Sequence, residues 1–187
     1  VGENGSGKST LIKILIGEEE RDSGEVTICN SYSYISQGVD FVEECDFDYE
    51  WNSTSIKAPN LFDKYLSGGE KVKFKIVNSL KKKSKLIIGD EITSNLDRST
   101  IDSLEKLLLE CDLLIIDDLG AEHINEFSVT ELFNIINKRI LTNKKMLIST
   151  NLTLPAISKH YSERIASRLL GDFKLCKFYS DDIRIKQ

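Results

Sequence analysis

The chain of 187 residues holds 25 Lys+Arg against 30 Asp+Glu, a net charge of −5, with 40% apolar and 29% charged residues. That is the balance of an ordinary soluble globular protein, with room for one large domain or two small ones, and no apolar run approaches the roughly 18 residues of a membrane span. Cys29, Cys45, Cys111 and Cys176 are scattered without a C-x-x-C pair, which argues against a disulfide framework or a thiolate metal site and for reduced thiols of a cytosolic protein.

The first element is a loop. Val1-Gly2-Glu3-Asn4-Gly5-Ser6-Gly7-Lys8-Ser9-Thr10 matches G-x-x-x-x-G-K-[ST] at every defined position. The glycines let successive N–H groups turn inward on phosphates, Lys8 reaches the β- and γ-phosphates as a point charge, and the Ser9 hydroxyl ligates Mg²⁺. Gly2, Asn4, Gly5, Gly7, Lys8, Ser9 and Thr10 are therefore the expected ATP-contacting set. The apolar run Leu11–Ile16 reads as the following helix, whose N-terminal dipole favours an anion. Such a loop ordinarily follows a buried strand and only Val1 precedes it here, so the chain reads as a fragment of something longer, lacking the first strand.

Glu25–Cys29 and Tyr32–Ile35 read as short strands. The stretch from Asp40 to Glu50 has six carboxylates and no basic residue, a solvated loop on which nucleic acid would not lie. Tyr65-Leu66-Ser67-Gly68-Gly69-Glu70 opens a helix to about Leu80. Leu86–Gly89 is a buried strand ending in Asp90 and Glu91, and Ser99–Glu110 is helical with Ile101, Leu104, Leu107 and Leu108 on one face.

The series Gly2–Ser9, Gln37, Leu66–Glu70, Leu86–Glu91 and Ser94–Asp97 resembles an ATP-binding cassette (ABC) ATPase: Walker A loop, Q-loop, LSGGE signature, Walker B strand and D-loop, over residues 1–110. The LSGGEK form and the absence of a membrane part lean toward the ABC-F type, whose paired cassettes act on ribosomes. The resemblance implies that Asp90 holds Mg²⁺ through water, that Glu91 polarises the attacking water, and that Gln37 senses the γ-phosphate and the metal. Ser67, Gly68 and Gly69 would cradle the nucleotide of a second cassette, either a homodimer partner or one upstream, so that one chain carries two half-sites. Cassette spacing puts Leu86–Asp90 beside the loop strand. Three features depart from the pattern: Ile92 stands where the family usually has Pro, the interval from Gln37 to Leu66 is short, and no Ser-His-Asp switch follows the 99–110 helix.

A second Walker B-like strand follows instead, Asp112-Leu113-Leu114-Ile115-Ile116-Asp117-Asp118-Leu119-Gly120. After it come an amphipathic helix over Phe127–Leu141, a strand over Met146–Asn151, the segment Glu163-Arg164-Ile165-Ala166-Ser167-Arg168-Leu169, and a closing strand over Phe173–Tyr179. Residues 111–187 resemble the C-terminal half of an AAA+ replicative helicase loader. That implies Asn151 as sensor and Arg168, with Arg164 as alternate, as an arginine finger serving a neighbour's nucleotide. The net charge also changes at this boundary: 14 basic against 20 acidic residues before Cys111, and 11 against 10 from there on. His123 and His160 lie in neither a switch nor a metal context and read as surface residues.

The expected fold is α/β of the P-loop NTPase type, a mainly parallel sheet with flanking helices, in which 1–110 and 111–187 can continue one series of crossovers and pack as one domain. The expected function is ATP binding as an ABC-type ATPase, with hydrolysis weakened. The alternatives are a loader-like protein of DNA replication, partnered by a helicase and DNA rather than a ribosome, and an inert chimeric fragment.

Overall fold

Four short runs form one parallel sheet in the computed structural model, which describes residues 1–27, 32–36, 68–90, 98–120 and 126–178. The strands are β1 (Tyr32–Ser36), β2 (Leu86–Asp90), β3 (Leu113–Leu119) and β4 (Lys145–Thr150), in the spatial order β1-β2-β3-β4. Their register runs straight across the sheet: Ile35 pairs Gly89, Gly89 pairs Ile116 and Ile116 pairs Ile148.

Parallel neighbours need crossovers, and helices supply them. α1 is Lys8–Ile16, α2 Gly68–Lys82, α3 Arg98–Glu110, α4 Glu126–Leu141, α5 Leu154–His160 and α6 Glu163–Asp172. The strands are laid down in sequence, so right-handed crossovers put α2, α3 and α4 on one face. That face holds the main core: Val72 and Ile76 of α2, Leu104 and Leu108 of α3, and Ile136 of α4, against Ile87 and Leu114 of the sheet. The path from the loop back to β1 at the far edge runs the other way. It therefore puts α1 on the opposite face, where Ile12 packs with Leu86, Ile88 and Ile115. Consecutive strand residues thus feed alternate cores, as a period of two requires, and both faces being covered explains why Leu86–Ile88 and Leu113–Ile116 are continuously apolar.

Three expectations need correction. Glu25, Val26 and Thr27 form no strand, and none of the three is buried, so nothing apolar pins them to a sheet edge. Residues 173–178 are not a ladder strand either; among the described residues they bond to Val1, whose neighbour Gly2 bonds to β4. Finally, the strand beside the loop is β4 rather than β2: the Gly2 N–H donates to the Thr150 carbonyl at 3.2 Å, and β2 lies two strands further in.

A buried cation holds the link from α3 to β3. Arg139 of α4 is fully buried. Its Nη1 donates to the carbonyls of Leu108 and Cys111 and to Cys111 Sγ, and its Nη2 to the carbonyls of Asp112 (3.4 Å) and Lys145 (2.6 Å). One guanidinium thereby caps the end of α3 and ties it to the start of β4. Burial pushes the Cys111 thiol above its usual range, with the adjacent Arg139 opposing that shift. Arg139→Met keeps the stem but removes every guanidinium bond to these buried carbonyls, so it should lower stability by about 3 kcal/mol or more. Urea denaturation measures this, and a loss under about 0.5 kcal/mol, typical of a surface substitution, would contradict it.

Candidate functional site

The phosphate loop is shaped by two left-handed glycines, Gly5 at φ 79° and Gly7 at φ 89°. That region is open to glycine and disfavoured for residues with a Cβ, and it turns successive N–H groups toward a common centre. Gly7 is also the N-cap of α1, so the helix's first free N–H groups add to the same concavity. Gly2 is needed for a different reason. A Cβ there would meet Ser6 Oγ at 2.6 Å and the Phe178 carbonyl oxygen at 2.9 Å, so the loop passes too close to the C-terminal segment for any side chain.

Lys8 is buried. Its ammonium donates to the carbonyls of Gly2 (2.8 Å) and Glu3 (2.9 Å), holding the loop closed on itself. Ser9 and Thr10 stand exposed on the first turn of α1, where a hydroxyl is free to meet a cation or a phosphate. Ser6 Oγ is buried without a hydrogen-bond partner.

Facing this loop are the ends of β3 and β4. Asn151 Nδ2 donates to Asn4 Oδ1 at 2.9 Å, a direct tie between the residue after β4 and the loop. On β3 the ladder is irregular between Ile116 and Leu119, and Asp118 takes a left-handed φ of 49°. A bulge of this kind re-aims side chains at a strand end. Ser149 fixes the result: its hydroxyl donates to Asp117 Oδ1 at 2.6 Å and accepts from the Asp118 N–H at 2.9 Å. The Asp118 N–H also reaches Asp117 Oδ1 at 3.0 Å. All of these bonds to the carboxylate fall on Oδ1, so Oδ2 keeps its lone pairs for a water or a cation. A carboxylate and a hydroxyl are hard oxygen donors, and this donor set fits Mg²⁺.

The expected site residues are therefore dispersed. Gly2, Asn4, Gly5, Gly7, Lys8, Ser9 and Thr10 come together in the loop. Gly68 and Gly69 open α2, as expected of a signature helix. Gln37, Ser67 and Glu91 lie outside the described residues, as does His123. Asp90 closes β2, its backbone in register with Asp117, one strand further from the loop than Asp117. Arg168 is on α6, where it pairs with Asp172 at 3.5 Å one turn on. Sequence reasoning missed Ser149 and Thr150. The signal was present in Ser149-Thr150-Asn151, three polar residues ending an apolar run, of which only Asn151 attracted attention.

Comparison with known proteins agrees with the loop. Residues 1–44 match the sequence model of the ABC transporter family. Over 141 residues the chain is 31% identical to the ATP-binding protein Uup of Caulobacter vibrioides, covering 60% of this chain and 23% of that protein. It is 32% identical over 146 residues to the energy-dependent translational throttle protein EttA of Mycobacterium tuberculosis, covering 63% and 26%. It is 31% identical over 110 residues to the erythromycin resistance ATP-binding protein MsrA of Staphylococcus epidermidis, covering 58% and 22%. The chain thus spans about a quarter of the length of the relatives it matches, and more than a third of it lies outside each match. By sequence, this is an ATP-binding P-loop chain similar to the ATPase domains of ABC-type proteins.

Proposed function

We propose that the chain binds ATP with Mg²⁺ at its loop, that Asp117 rather than Asp90 is the carboxylate serving the metal, and that hydrolysis is slow unless a second subunit completes the site. The observation that carries this reading is the seating of the loop against β4, through the Gly2–Thr150 and Asn151–Asn4 bonds. Parallel strands lie about 4.8 Å apart, so β3 is two spacings from the loop and β2 three. Mg²⁺, when bound, would supply neutralisation of the phosphate charge. The residues do the rest. The amides at Gly5 to Ser9 would orient the phosphates, Lys8 would exchange its two carbonyl partners for phosphate oxygens, and Ser9 and Asp117 would hold the metal.

The cassette assignments remain proposals on the residues themselves. Glu91 would polarise water, Gln37 would report the γ-phosphate, and Ser67, Gly68 and Gly69 would serve a partner's nucleotide. A paired cassette, as in ABC-F proteins that act on ribosomes, is the partner this reading favours, with a cytoplasmic location. A second reading has a specific observation behind it: the tie from Asn151 to Asn4 and the Asp117 position are what a loader-like half, partnered with a helicase on DNA, would bring to the loop. In that reading Arg168, on the exposed surface of α6, acts on a neighbouring subunit's nucleotide. Among the described residues, no helix is long and apolar enough to cross a membrane.

Three outcomes test the proposal. Lys8→Ala should weaken MgATP binding at least tenfold in a calorimetric titration, roughly the loss of one charge-assisted contact; unchanged affinity sinks it. Asp117→Asn should reduce the Mg²⁺-dependent part of that affinity more than Asp90→Asn does, and the opposite ranking would return the metal to β2. Phosphate release, with Glu91→Gln as the blank, should be slow and should rise with protein concentration, because the groups that stabilise transition-state charge come from another subunit. A concentration-independent rate near about 1 s⁻¹, that of a working NTPase, would show a site complete within one chain.

A further inference from the structure

The ladder between β3 and β4 is regular from the Leu113–Lys145 pair to the Ile116–Ile148 pair and resumes at Leu119–Thr150. Two residues of β3, Asp117 and Asp118, therefore stand opposite one residue of β4, Ser149. The extra residue of such a bulge loses its ladder partner. Here a side chain replaces that partner, since the Asp118 N–H donates to Ser149 Oγ at 2.9 Å. Thr150 clamps the far side of the bulge: its hydroxyl donates to the Leu119 carbonyl at 2.6 Å and accepts from the Leu152 N–H at 3.0 Å.

Ser149 is 6% exposed, and its hydroxyl is fully committed. A serine has one O–H to give. This one goes to Asp117 Oδ1 at 2.6 Å, the length of a charge-assisted bond. No proton is left for a phosphate, so Ser149 acts on the nucleotide site only through Asp117. Asp117 Oδ1 in turn carries two donors, the Ser149 hydroxyl and the Asp118 N–H at 3.0 Å. A cation approaching this carboxylate meets Oδ2 alone. One-oxygen ligation suits Mg²⁺, which demands a near-ideal octahedron of oxygens at about 2.1 Å. Ca²⁺ is larger, takes roughly six to eight oxygens and readily accepts both from one carboxylate.

We propose that Ser149 is a positioning residue that sets the cation preference of the site: by occupying Oδ1 it restricts Asp117 to one-oxygen ligation and so favours Mg²⁺ over Ca²⁺. The inference rests on the reading that Asp117 serves the metal. It assigns to β4 a share in metal selection without any contact between β4 and the metal.

The test is the ratio of ATP affinity with Mg²⁺ to that with Ca²⁺, measured by calorimetric titration of the full chain and three variants. Ser149→Ala frees the carboxylate to turn and offer both oxygens. The ratio should then fall at least about fivefold, chiefly through a Mg²⁺-dependent affinity lowered about tenfold. Ser149→Thr keeps the hydroxyl and should keep the wild-type ratio. A general loss of packing weakens binding with both cations alike and leaves the ratio where it was. Asp117→Asn separates the two claims. If it leaves the Mg²⁺-dependent affinity intact, the metal reading fails and the inference with it. If it lowers that affinity while Ser149→Ala leaves the ratio unchanged, or while Ser149→Thr lowers the ratio as far as Ser149→Ala does, the role given to Ser149 alone is overturned.

Discussion

The hydrogen bond from Gly2 N–H to the Thr150 carbonyl decides which strand the phosphate loop faces, and most of the site follows from it. With the loop beside β4, the residue after that strand, Asn151, comes within bonding distance of Asn4. The next strand inward then presents Asp117, which Ser149 holds by one oxygen. Moving the loop one strand along would break each of these contacts. The absence of a side chain at Gly2 is what permits the approach, because the loop threads between Ser6 and Phe178 with no space for a Cβ.

The chain on the two sides of Glu110–Cys111 shares one core in this fold. Leu108 and Leu114, on either side of the boundary, are both fully buried, and Arg139 donates to carbonyls before and after it. A strand–helix series propagates across such a link when the apolar period and the crossover hand continue. Here they do. The consequence is chemical rather than architectural: the strand with the cassette's Asp90 and the strand with Asp117 become direct neighbours in register, and only one of them is near the loop.

Much of this was legible in the residues. The loop reads directly, because its chemistry is local: glycines for the turn, a cation for the phosphates and a hydroxyl for the metal. The sheet reads well too, since Leu86–Asp90, Leu113–Leu119 and Lys145–Thr150 are short apolar runs ending in polar residues. Strand order was not legible. Both Asp90 and Asp117 end such runs, and nothing in either run says which is nearer the loop; that is a long-range property of the chain path. The helix period predicted that α4 would be amphipathic, yet Arg139 at its buried end carries the charge of a surface residue, and its role depends on the carbonyls of Leu108, Cys111 and Asp112 in a distant part of the chain and of Lys145 nearby. Ser149 was overlooked because a serine in a strand has no signature until the bulge at Asp118 brings Asp117 to it.

The central claim is that β3, with Asp117, carries the metal side of the nucleotide site. Paramagnetic broadening tests it most directly, since Mn²⁺ replaces Mg²⁺ on the nucleotide and its effect on nearby amides falls steeply with distance. In an amide-resolved NMR titration with substoichiometric MnATP, the account predicts that Asp117, Asp118 and Ser149 broaden together with Gly7 and Lys8, well before Ile88 and Gly89 of β2. Broadening that reaches Gly89 and Asp90 first, with Asp117 still sharp, would contradict it.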